Sequence, residues 1–270
     1  MEAQINLGQA LLLGVIQGLT EFLPISSSGH LVLGQAALGI KEPVLLFDIL
    51  LHIGTLAAVL AVYGKDVWRI LRAWFLALAG RANEEERVSA RTGWLLILGT
   101  VPAALVGVLF KDTIEAAFAA PRLTAYNLLV TGGVLFVSGG KMQGTRKEAQ
   151  MTWRDALWIG ALQAVAILPG ISRSGSTIAA GLWAGLDREQ AARFSFLLSV
   201  PAILGAFVLK ARHMGATPAD AWTPMAAGTL TAAVVGILSL LWLIQVVRRG
   251  NIRWFAYYCW AAGALGIYLI

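Results

Sequence analysis

Residues 24–30 read Pro-Ile-Ser-Ser-Ser-Gly-His, and residues 169–177 read Pro-Gly-Ile-Ser-Arg-Ser-Gly-Ser-Thr. Each of these polar breaks interrupts a hydrophobic region, at 7–39 and at 153–186 respectively. In both regions an apolar helix of about 15 residues precedes the break and a shorter one follows, whereas a spanning helix needs about 20 residues. The pattern therefore predicts two re-entrant or broken helical hairpins inside a membrane, where only protein or a water-filled cavity can shield non-helical backbone.

The composition agrees with a membrane location. Of the 270 residues, 58% are hydrophobic and 13% are charged, about half of the ~25% charged share of soluble proteins. A soluble fold could not cover that much apolar surface with polar groups. We therefore expect an all-α polytopic membrane protein, and we exclude a soluble enzyme, a disordered tail and a disulfide scaffold. The net charge of +6 indicates basic cytoplasmic loops, with no nucleic acid as a partner.

Six further segments are apolar and long enough to span a membrane. They are 45–63, 92–110, 124–140, 192–210, 225–247 and 254–270. The sequence also predicts an interfacial segment at 66–80 and a polar loop at 81–91. The N-terminus has neither a basic start nor an A-x-A cleavage site, so we expect it to be retained.

The two breaks belong to an internal repeat. A shift of 146 positions aligns eight identical residues, which in the first copy are Ala10, Leu11, Gly14, Gln17, Ile25, Ser26, Ser28 and Gly29. We predict one integral membrane domain, 1–270, with repeats at about 7–140 and 153–270. Each repeat is a hairpin plus three transmembrane helices. A hairpin returns to the side from which it enters, and three spanning helices leave the chain on the opposite side. The second repeat is therefore inverted relative to the first.

The distribution of Lys and Arg predicts the orientation. One set of connections (64–91, 141–154, 187–193 and 248–253) carries 15 of them, and the opposite side carries five. The positive-inside rule assigns the basic set to the cytoplasm, so both termini lie outside. The hairpins then enter from opposite sides and meet near the midplane, where paired broken helices commonly form a binding site.

The second break carries groups that suit an anion. Free N–H groups at a helix start attract anions, and hydroxyls donate further hydrogen bonds. Arg173 adds a planar charged fork that suits phosphate oxygens, and at membrane depth it needs a partner such as phosphate or Glu21. The structural alternative is a helix cap beside a snorkelling arginine. We predict that the phosphate-binding residues here are Ser172, Ser174, Gly175, Ser176 and Thr177.

The first break carries complementary groups. Glu21 and Gln17 share one side of a helix, because they are four residues apart. The run that starts at Ser26 offers hydroxyls as nucleophiles or phosphate ligands, and His30 can exchange a proton near neutral pH. Taken singly, each group has a structural alternative, namely capping, turn bonding or packing. The set as a whole favours phosphate chemistry.

A third polar pair lies within an apolar span. Asp48 and His52 share a helix face at i, i+4, a spacing that can bind a metal, although two ligands are not a site. A bond between helices is the equal alternative.

These motifs resemble one family. Residues 17–30 fit (Glu/Gln)-x-x-x-Glu followed by Pro-x-Ser-Ser-x-Gly-His, and residues 169–177 fit Pro-Gly-x-Ser-Arg-Ser-x-x-Thr. Together with the length and the repeat, they resemble the bacterial undecaprenyl-diphosphate phosphatases, also called bacitracin resistance proteins. Gln17 stands where many members have Glu, which puts an essential carboxylate at that position in doubt.

The resemblance implies a function. Such enzymes convert undecaprenyl diphosphate to undecaprenyl phosphate and inorganic phosphate, which recycles the lipid carrier of peptidoglycan synthesis and confers bacitracin resistance. The resemblance also implies a divalent cation, Mg²⁺ or Ca²⁺. From the residues themselves, Glu21 and Asp48 are the candidate metal ligands. The resemblance places the chain in the bacterial inner membrane with an active site that opens to the outer face. The expected partners are the lipid diphosphate and membrane lipid, and a homodimer is left open.

The mechanism that fits these residues has Ser27 as the nucleophile and His30 or Glu21 as its base, while Gln17, Ser26 and Arg173 bind phosphate. Attack by His30 or by an activated water is the alternative. A flippase is the main rival function, since inverted repeats with broken helices are typical of transporters. A type-2 phosphatidic acid phosphatase shares Ser-Gly-His at 28–30 but also needs Ser-Arg-x5-His, and position 179 is Ala. A non-enzymatic scaffold would leave the polar residues at the breaks unexplained.

Overall fold

The fold is a helical bundle that follows from the apolar segments described above. The structure is a computed structural model that describes residues 5–40, 45–139, 144–211, 219–249 and 252–269. The described residues form eleven α-helices: α1 Leu7–Thr20, α2 Ser27–Ala37, α3 Leu45–Leu78, α4 Glu84–Leu109, α5 Lys111–Phe118, α6 Pro121–Ser138, α7 Trp153–Val165, α8 Arg173–Trp183, α9 Arg188–Ala211, α10 Trp222–Arg249 and α11 Arg253–Leu269. Lys41, Lys141 and Arg212, which enter the charge count, fall outside the described residues.

The fold confirms an all-α polytopic membrane protein. Among the described helices, α3, α4, α9 and α10 are long and apolar enough to cross a membrane. The other two predicted spans correspond to α6, with 18 residues, and α11, with 17. At 1.5 Å per residue they are a few ångströms shorter than the ~30 Å hydrocarbon core.

Both predicted hairpins are present as pairs of short helices, α1 with α2 and α7 with α8. Each second helix begins inside its predicted break, so the non-helical segments are shorter than the sequence suggested. The cause is capping: Gly29 N–H donates to Ser26 Oγ at 3.2 Å, and Gly175 N–H donates to Ser172 Oγ at 3.0 Å. His30 therefore lies in the first turn of its helix.

Two boundaries predicted from the sequence were wrong. The interfacial segment 66–80 is the continuation of α3, a single helix of 34 residues. The polar loop 81–91 is largely helical, because Asn83 caps the start of α4. The Asn83 side chain accepts from Glu86 N–H at 2.9 Å, and the Glu86 carboxylate accepts from Asn83 N–H at 2.9 Å. The polar character of the segment reflects an exposed first turn.

The hairpins pack in a crossed manner. α1 lies against α10, and α7 lies against α4. Both crossings depend on glycine, since a Cβ atom at Gly14 would clash with the backbone oxygen of Gly228, and one at Gly160 would clash with that of Gly99. Gly14 and Gly160 are 146 positions apart, the spacing of the sequence repeat. Each hairpin thus packs on a long helix that the sequence assigned to the other repeat.

Charged side chains form a network at one end of the bundle, where the described parts of the basic connections 64–91, 141–154, 187–193 and 248–253 lie; we call this side the basic face. Glu148, in the connection before α7, accepts from Arg69 at 3.1 Å, from Thr92 at 2.9 Å and from Arg193 at 2.9 Å. These partners lie on α3, α4 and α9, so one carboxylate joins the connection between the repeats to three helices.

Candidate active site

The two breaks meet each other inside the bundle. Ser174 Oγ donates to the backbone oxygen of Leu23 at 3.1 Å. The backbones also approach closely, since a Cβ atom at Gly29 would lie 2.9 Å from Cα of Gly170. The sequence predicted that the hairpin tips meet, and these contacts between the tips confirm it.

The second break is held by α6. Asn127 Nδ2 donates to the Pro169 carbonyl at 2.8 Å, and Thr131 Oγ1 donates to the Gly170 carbonyl at 2.8 Å. Ser172 N–H in turn donates to Thr131 Oγ1 at 3.0 Å. Gly170 has a φ of +91°, a conformation that side-chain-bearing residues rarely adopt. These bonds fix the entry to α8 and therefore the position of Arg173.

Glu21 is the centre of the site. It follows the last residue of α1 and is only 5% exposed. Its Oε2 accepts from Ser27 Oγ at 2.5 Å and from Gln17 Nε2 at 3.0 Å, and His52 Nε2 lies 3.4 Å from the same oxygen. Its Oε1 accepts from Arg173 Nη2. One buried carboxylate therefore joins α1, α2, α3 and α8.

Arg173 has a charged partner and keeps free donors. Its guanidinium bonds Glu21, and Nη1 also donates to the Ser195 backbone oxygen at 3.5 Å. A guanidinium carries five N–H donors, so these two contacts leave others for a ligand. The side chain is 19% exposed. The sequence predicted that phosphate or Glu21 would pair with Arg173, and the structure shows the Glu21 pair.

The first break positions Ser27 through an unusual backbone conformation. Ser26 has a φ of +69°, and among the described residues it alone combines a positive φ with a side chain. Such conformations cost about 1–3 kcal/mol and cluster at functional sites. The Ser26 hydroxyl caps α2 and lies 3.3 Å from Ser28 Oγ. The serine that follows, Ser27, is thereby directed at Glu21.

His30 has other partners than Ser27 and Glu21. Its Nδ1 lies 2.8 Å from the Ser26 backbone oxygen, and its Nε2 lies 2.8 Å from Tyr258 Oη. The Tyr258 ring also stacks on the imidazole, with a centroid distance of 5.6 Å. In this arrangement Glu21 alone of the two candidate bases contacts the Ser27 hydroxyl.

Several of the remaining polar groups of the second break already have protein partners. Ser172 Oγ accepts the cap bond from Gly175, and Ser176 N–H donates to the Ser172 carbonyl at 2.9 Å. Thr177 Oγ1 lies 2.5 Å from Ser195 Oγ. Phosphate binding by these groups stays a prediction that requires an exchange of partners.

Asp48 and His52 do not bond each other through their side chains. Asp48 Oδ1 accepts from Gln35 Nε2 at 2.7 Å, which is a bond between α3 and α2. His52 Nδ1 lies 2.6 Å from the Asp48 backbone oxygen, and its Nε2 faces Glu21. The pair thus makes one bond between helices and one contact to the site.

The site offers few ligands for a cation. Among the described residues, no three His, Cys, Asp or Glu side chains are grouped so as to hold a metal. Gln17 Oε1, beside Glu21, is buried and has no hydrogen-bond partner within the described part of the chain. Mg²⁺ commonly binds through one or two carboxylates plus substrate phosphates. Glu21 and Gln17 Oε1 fit that mode, with the remaining ligands supplied by substrate and water.

Three contributors were missed from the sequence-predicted set. His52 had a signal in its spacing from Asp48, but its contact to Glu21 required the packing of α3 on α1. Tyr258 and Ser195 gave none, because neither belongs to a motif or to the repeat that marks the breaks. Their roles depend on which helix lies next to the breaks.

Comparisons with known proteins identify the family of this chain. Residues 10–265 match the family described as bacitracin resistance protein BacA. The undecaprenyl-diphosphatase of Desulfatibacillum aliphaticivorans is 44% identical over 95% of this chain and 96% of its own length. Undecaprenyl-diphosphatase 4 of Bacillus thuringiensis is 44% identical over 95% of both chains, and the undecaprenyl-diphosphatase of Methanobrevibacter smithii is 42% identical over 95% of both. The chain belongs to the bacitracin resistance protein BacA family.

Proposed function

We propose that this chain removes the terminal phosphate of undecaprenyl diphosphate and releases undecaprenyl phosphate and inorganic phosphate. The observation that carries the proposal is the contact of Ser27 Oγ with Glu21 Oε2 at 2.5 Å, with Arg173 on the other oxygen of the same carboxylate. A nucleophile, a base and a guanidinium that can bind phosphate thus meet within one site. Relatives at 42–44% identity are named undecaprenyl-diphosphatase.

Ser27 is the proposed nucleophile. Its Oγ attacks the terminal phosphorus, a new Oγ–P bond forms, and the bond from that phosphorus to the bridging oxygen breaks. Undecaprenyl phosphate leaves, and Glu21 takes the Ser27 proton. Water then attacks the phosphoserine and the Oγ–P bond breaks. The proton held by Glu21 returns to the Ser27 oxygen, and both hydrogens of the water leave with the inorganic phosphate.

Arg173 is the proposed phosphate clamp. In phosphoryl transfer the negative charge spreads over the oxygens of the moving group, and fixed donors that face it lower the barrier. The N–H groups of Arg173 that do not bond Glu21 or Ser195 serve this role. The Glu21 pair holds the guanidinium in place before substrate binds, which reduces the entropy lost in the transition state.

His30, in the first turn of α2, is placed to assist the reaction. Its bond to Tyr258 fixes the ring, and its bond to the Ser26 carbonyl fixes the other nitrogen. We assign His30 the role of exchanging a proton with the attacking water or with the phosphate. This requires that the hydrogen bond between Tyr258 Oη and His30 Nε2 first breaks. Direct attack by His30 is the alternative that the experiment below tests.

A divalent cation, Mg²⁺ or Ca²⁺, is part of the proposal. Glu21 and Gln17 would hold it, and it would neutralise phosphate charge when bound. Asp48 is a less suitable ligand, since its carboxylate bonds Gln35 and not the group around Ser27 and Arg173.

The location is proposed from charge. The basic face is assigned to the cytoplasm by the positive-inside rule, in the inner membrane of a bacterium. The site then opens to the outer face, with both termini outside. We also propose a homodimer as the state to test by mass measurement in detergent.

The flippase alternative lacks support, since the relatives are named as diphosphatases. In purified protein without a bilayer there are no two sides to transport between, so phosphate release there measures the phosphatase alone.

The decisive experiment is a single turnover in detergent with long-chain prenyl diphosphate labelled in the terminal phosphate. We expect label on Ser27, loss of label in Ser27→Ala, and ¹⁸O from water in the released phosphate only after the phosphoenzyme forms. Label on His30, or ¹⁸O incorporation without any phosphoenzyme, would overturn the role of Ser27.

A further inference from the structure

A groove on the basic face lies apart from the active site. It has a volume of about 530 Å³ and lies between the middle of α4 and the N-terminal turn of α7. We call it the basic groove and define it by Arg91, Trp94, Leu98, Thr152, Trp153 and Arg154.

Within the described residues, neither arginine of the basic groove has a carboxylate partner. Arg91 donates to the backbone oxygens of Ala149 and Met151, and its guanidinium keeps further N–H groups. Arg154 lies over the Trp153 ring, 5.2 Å from its centroid, and makes no hydrogen bond or ion pair within the described part of the chain. Two uncompensated positive charges therefore face one groove.

The nearby carboxylates are committed elsewhere. Glu148 is bound by Arg69, Arg193 and Thr92, as described above. Asp155 is bound by Arg146, with a distance of 3.1 Å from Nη1 to Oδ1, and by Thr152 N–H at 2.7 Å. Among the described residues, the basic groove offers no free carboxylate that could pair with a positively charged group of a ligand. The charge pattern therefore favours a ligand with a net negative charge.

The exposed tryptophans of the basic groove indicate that the anion binds at the level of the lipid headgroups. Trp94 is 62% exposed and Trp153 is 56% exposed, and tryptophan concentrates at membrane–water interfaces. Leu98 lies about one turn further along α4, toward the apolar part of that helix. The groove therefore presents cations at its rim and apolar surface below, which matches a phosphate head attached to acyl chains.

From this geometry we infer that the basic groove binds an anionic phospholipid, with Arg91 and Arg154 on the phosphate, Trp94 and Trp153 beside the glycerol region, and the acyl chains along α4. Basic pockets between membrane helices are known to take anionic headgroups. The site is separate from the Glu21–Arg173 centre and does not depend on the proposed reaction.

The test is native mass spectrometry of the full chain in detergent, titrated with dioleoyl phosphatidylglycerol and, separately, with dioleoyl phosphatidylcholine. Arg154→Gln is expected to weaken the first phosphatidylglycerol binding event about fivefold, and Arg91→Gln with Arg154→Gln about 25-fold, the factors that correspond to about 1 kcal/mol per arginine. The zwitterionic lipid should bind weakly and without response to either variant.

The matched control is Arg81→Gln with Arg249→Gln, which removes the same charge from exposed positions outside the groove. It should keep phosphatidylglycerol binding within about twofold of the unmodified chain. Because Arg91 also holds two backbone carbonyls, the single Arg154→Gln variant and the melting temperature separate loss of binding from loss of folding.

Three results would overturn the inference. One is an equal loss of lipid in the control, which would mean general surface charge. Another is phosphatidylcholine that binds as tightly as phosphatidylglycerol. The third is millimolar inorganic phosphate that displaces the lipid, which would indicate a free-anion site.

Discussion

Ser27 Oγ donates to Glu21 Oε2 at 2.5 Å, although Glu21 follows the end of α1 and Ser27 begins α2. The contact depends on the positive φ of Ser26, which turns the chain so that the start of α2 faces the end of α1. Arg173 comes from the other repeat and completes the group. A nucleophile candidate, a base candidate and a cation are thus joined by one carboxylate.

Because Ser27 and Glu21 share one hydrogen bond, their effects on turnover should not add. Ser27→Ala and Glu21→Gln should each lower kcat by about 10²–10⁴-fold. The double variant should be no slower than the worse single variant, as for groups that act as a unit. Steady-state phosphate release in detergent measures this, and fully multiplicative losses would show that the two residues act independently.

Arg173→Lys should lose most activity although it keeps the charge. An ammonium cannot bond Glu21 and a phosphate with the planar fork of a guanidinium, and loss of one such donor costs about 10²-fold or more. Arg249→Lys, at an exposed position, is the control and should leave kcat unchanged. Near-normal turnover of Arg173→Lys would refute the need for the fork.

Tyr258→Phe should keep the ring stacked on His30 and remove only the bond to Nε2. A hydrogen bond whose net contribution is about 0.5–1.5 kcal/mol corresponds to a decrease in kcat of about three- to tenfold. Tyr257→Phe, the neighbouring exposed tyrosine, is the matched control. The pH profile of kcat should shift in Tyr258→Phe alone, and an unshifted profile would mean that Tyr258 does not position His30.

Removal of divalent cations with EDTA should abolish phosphate release, and Mg²⁺ or Ca²⁺ should restore it. Gln17→Met removes the unpartnered Oε1 atom and should raise the half-saturating Mg²⁺ concentration by about tenfold or more, whereas Gln17→Glu should lower it. Gln163→Met is the control, because Gln163 is the repeat counterpart and is also buried and unpartnered. An equal effect of both Met variants would argue against Gln17 as a ligand.

Gly160→Ala should destabilise the bundle, since its Cβ atom would clash with the backbone of Gly99 where α7 crosses α4. Overpacking of this kind costs about 1–3 kcal/mol. Gly133→Ala is the control, because a Cβ atom there meets nothing within 4 Å, and alanine is the better helix former. The melting temperature in detergent should fall for Gly160→Ala and hold or rise for Gly133→Ala.

Much of the fold could be predicted because helix formation in a membrane is local. The lengths of the apolar segments predicted the spanning helices, and clusters of Pro, Gly and Ser predicted the positions of the two breaks. The errors occurred at helix boundaries, where capping decides. Asn83 extended α4 into a segment that composition alone made a loop, and α3 continued through Trp68 because nothing between Tyr63 and Trp74 stops a helix.

The candidate site was predictable as a set of residues but not as a set of contacts. Glu21, Ser27 and Arg173 stood out through their residue types and their positions in or beside the two breaks. The role of His52 and the separation of His30 from Ser27 did not, since they depend on how α3 and α11 pack against the hairpin.

By itself, the sequence determined the class of the protein, its two hairpins and the chemical groups at their tips, because hydrophobic length and backbone breaks act over a few residues. The tertiary structure alone decided which groups meet. The crossing of each hairpin on a helix of the other repeat brings Arg173 to Glu21, 152 residues away. That crossing depends on glycines whose missing side chains let backbones touch, a property of pairs of helices that no single segment displays.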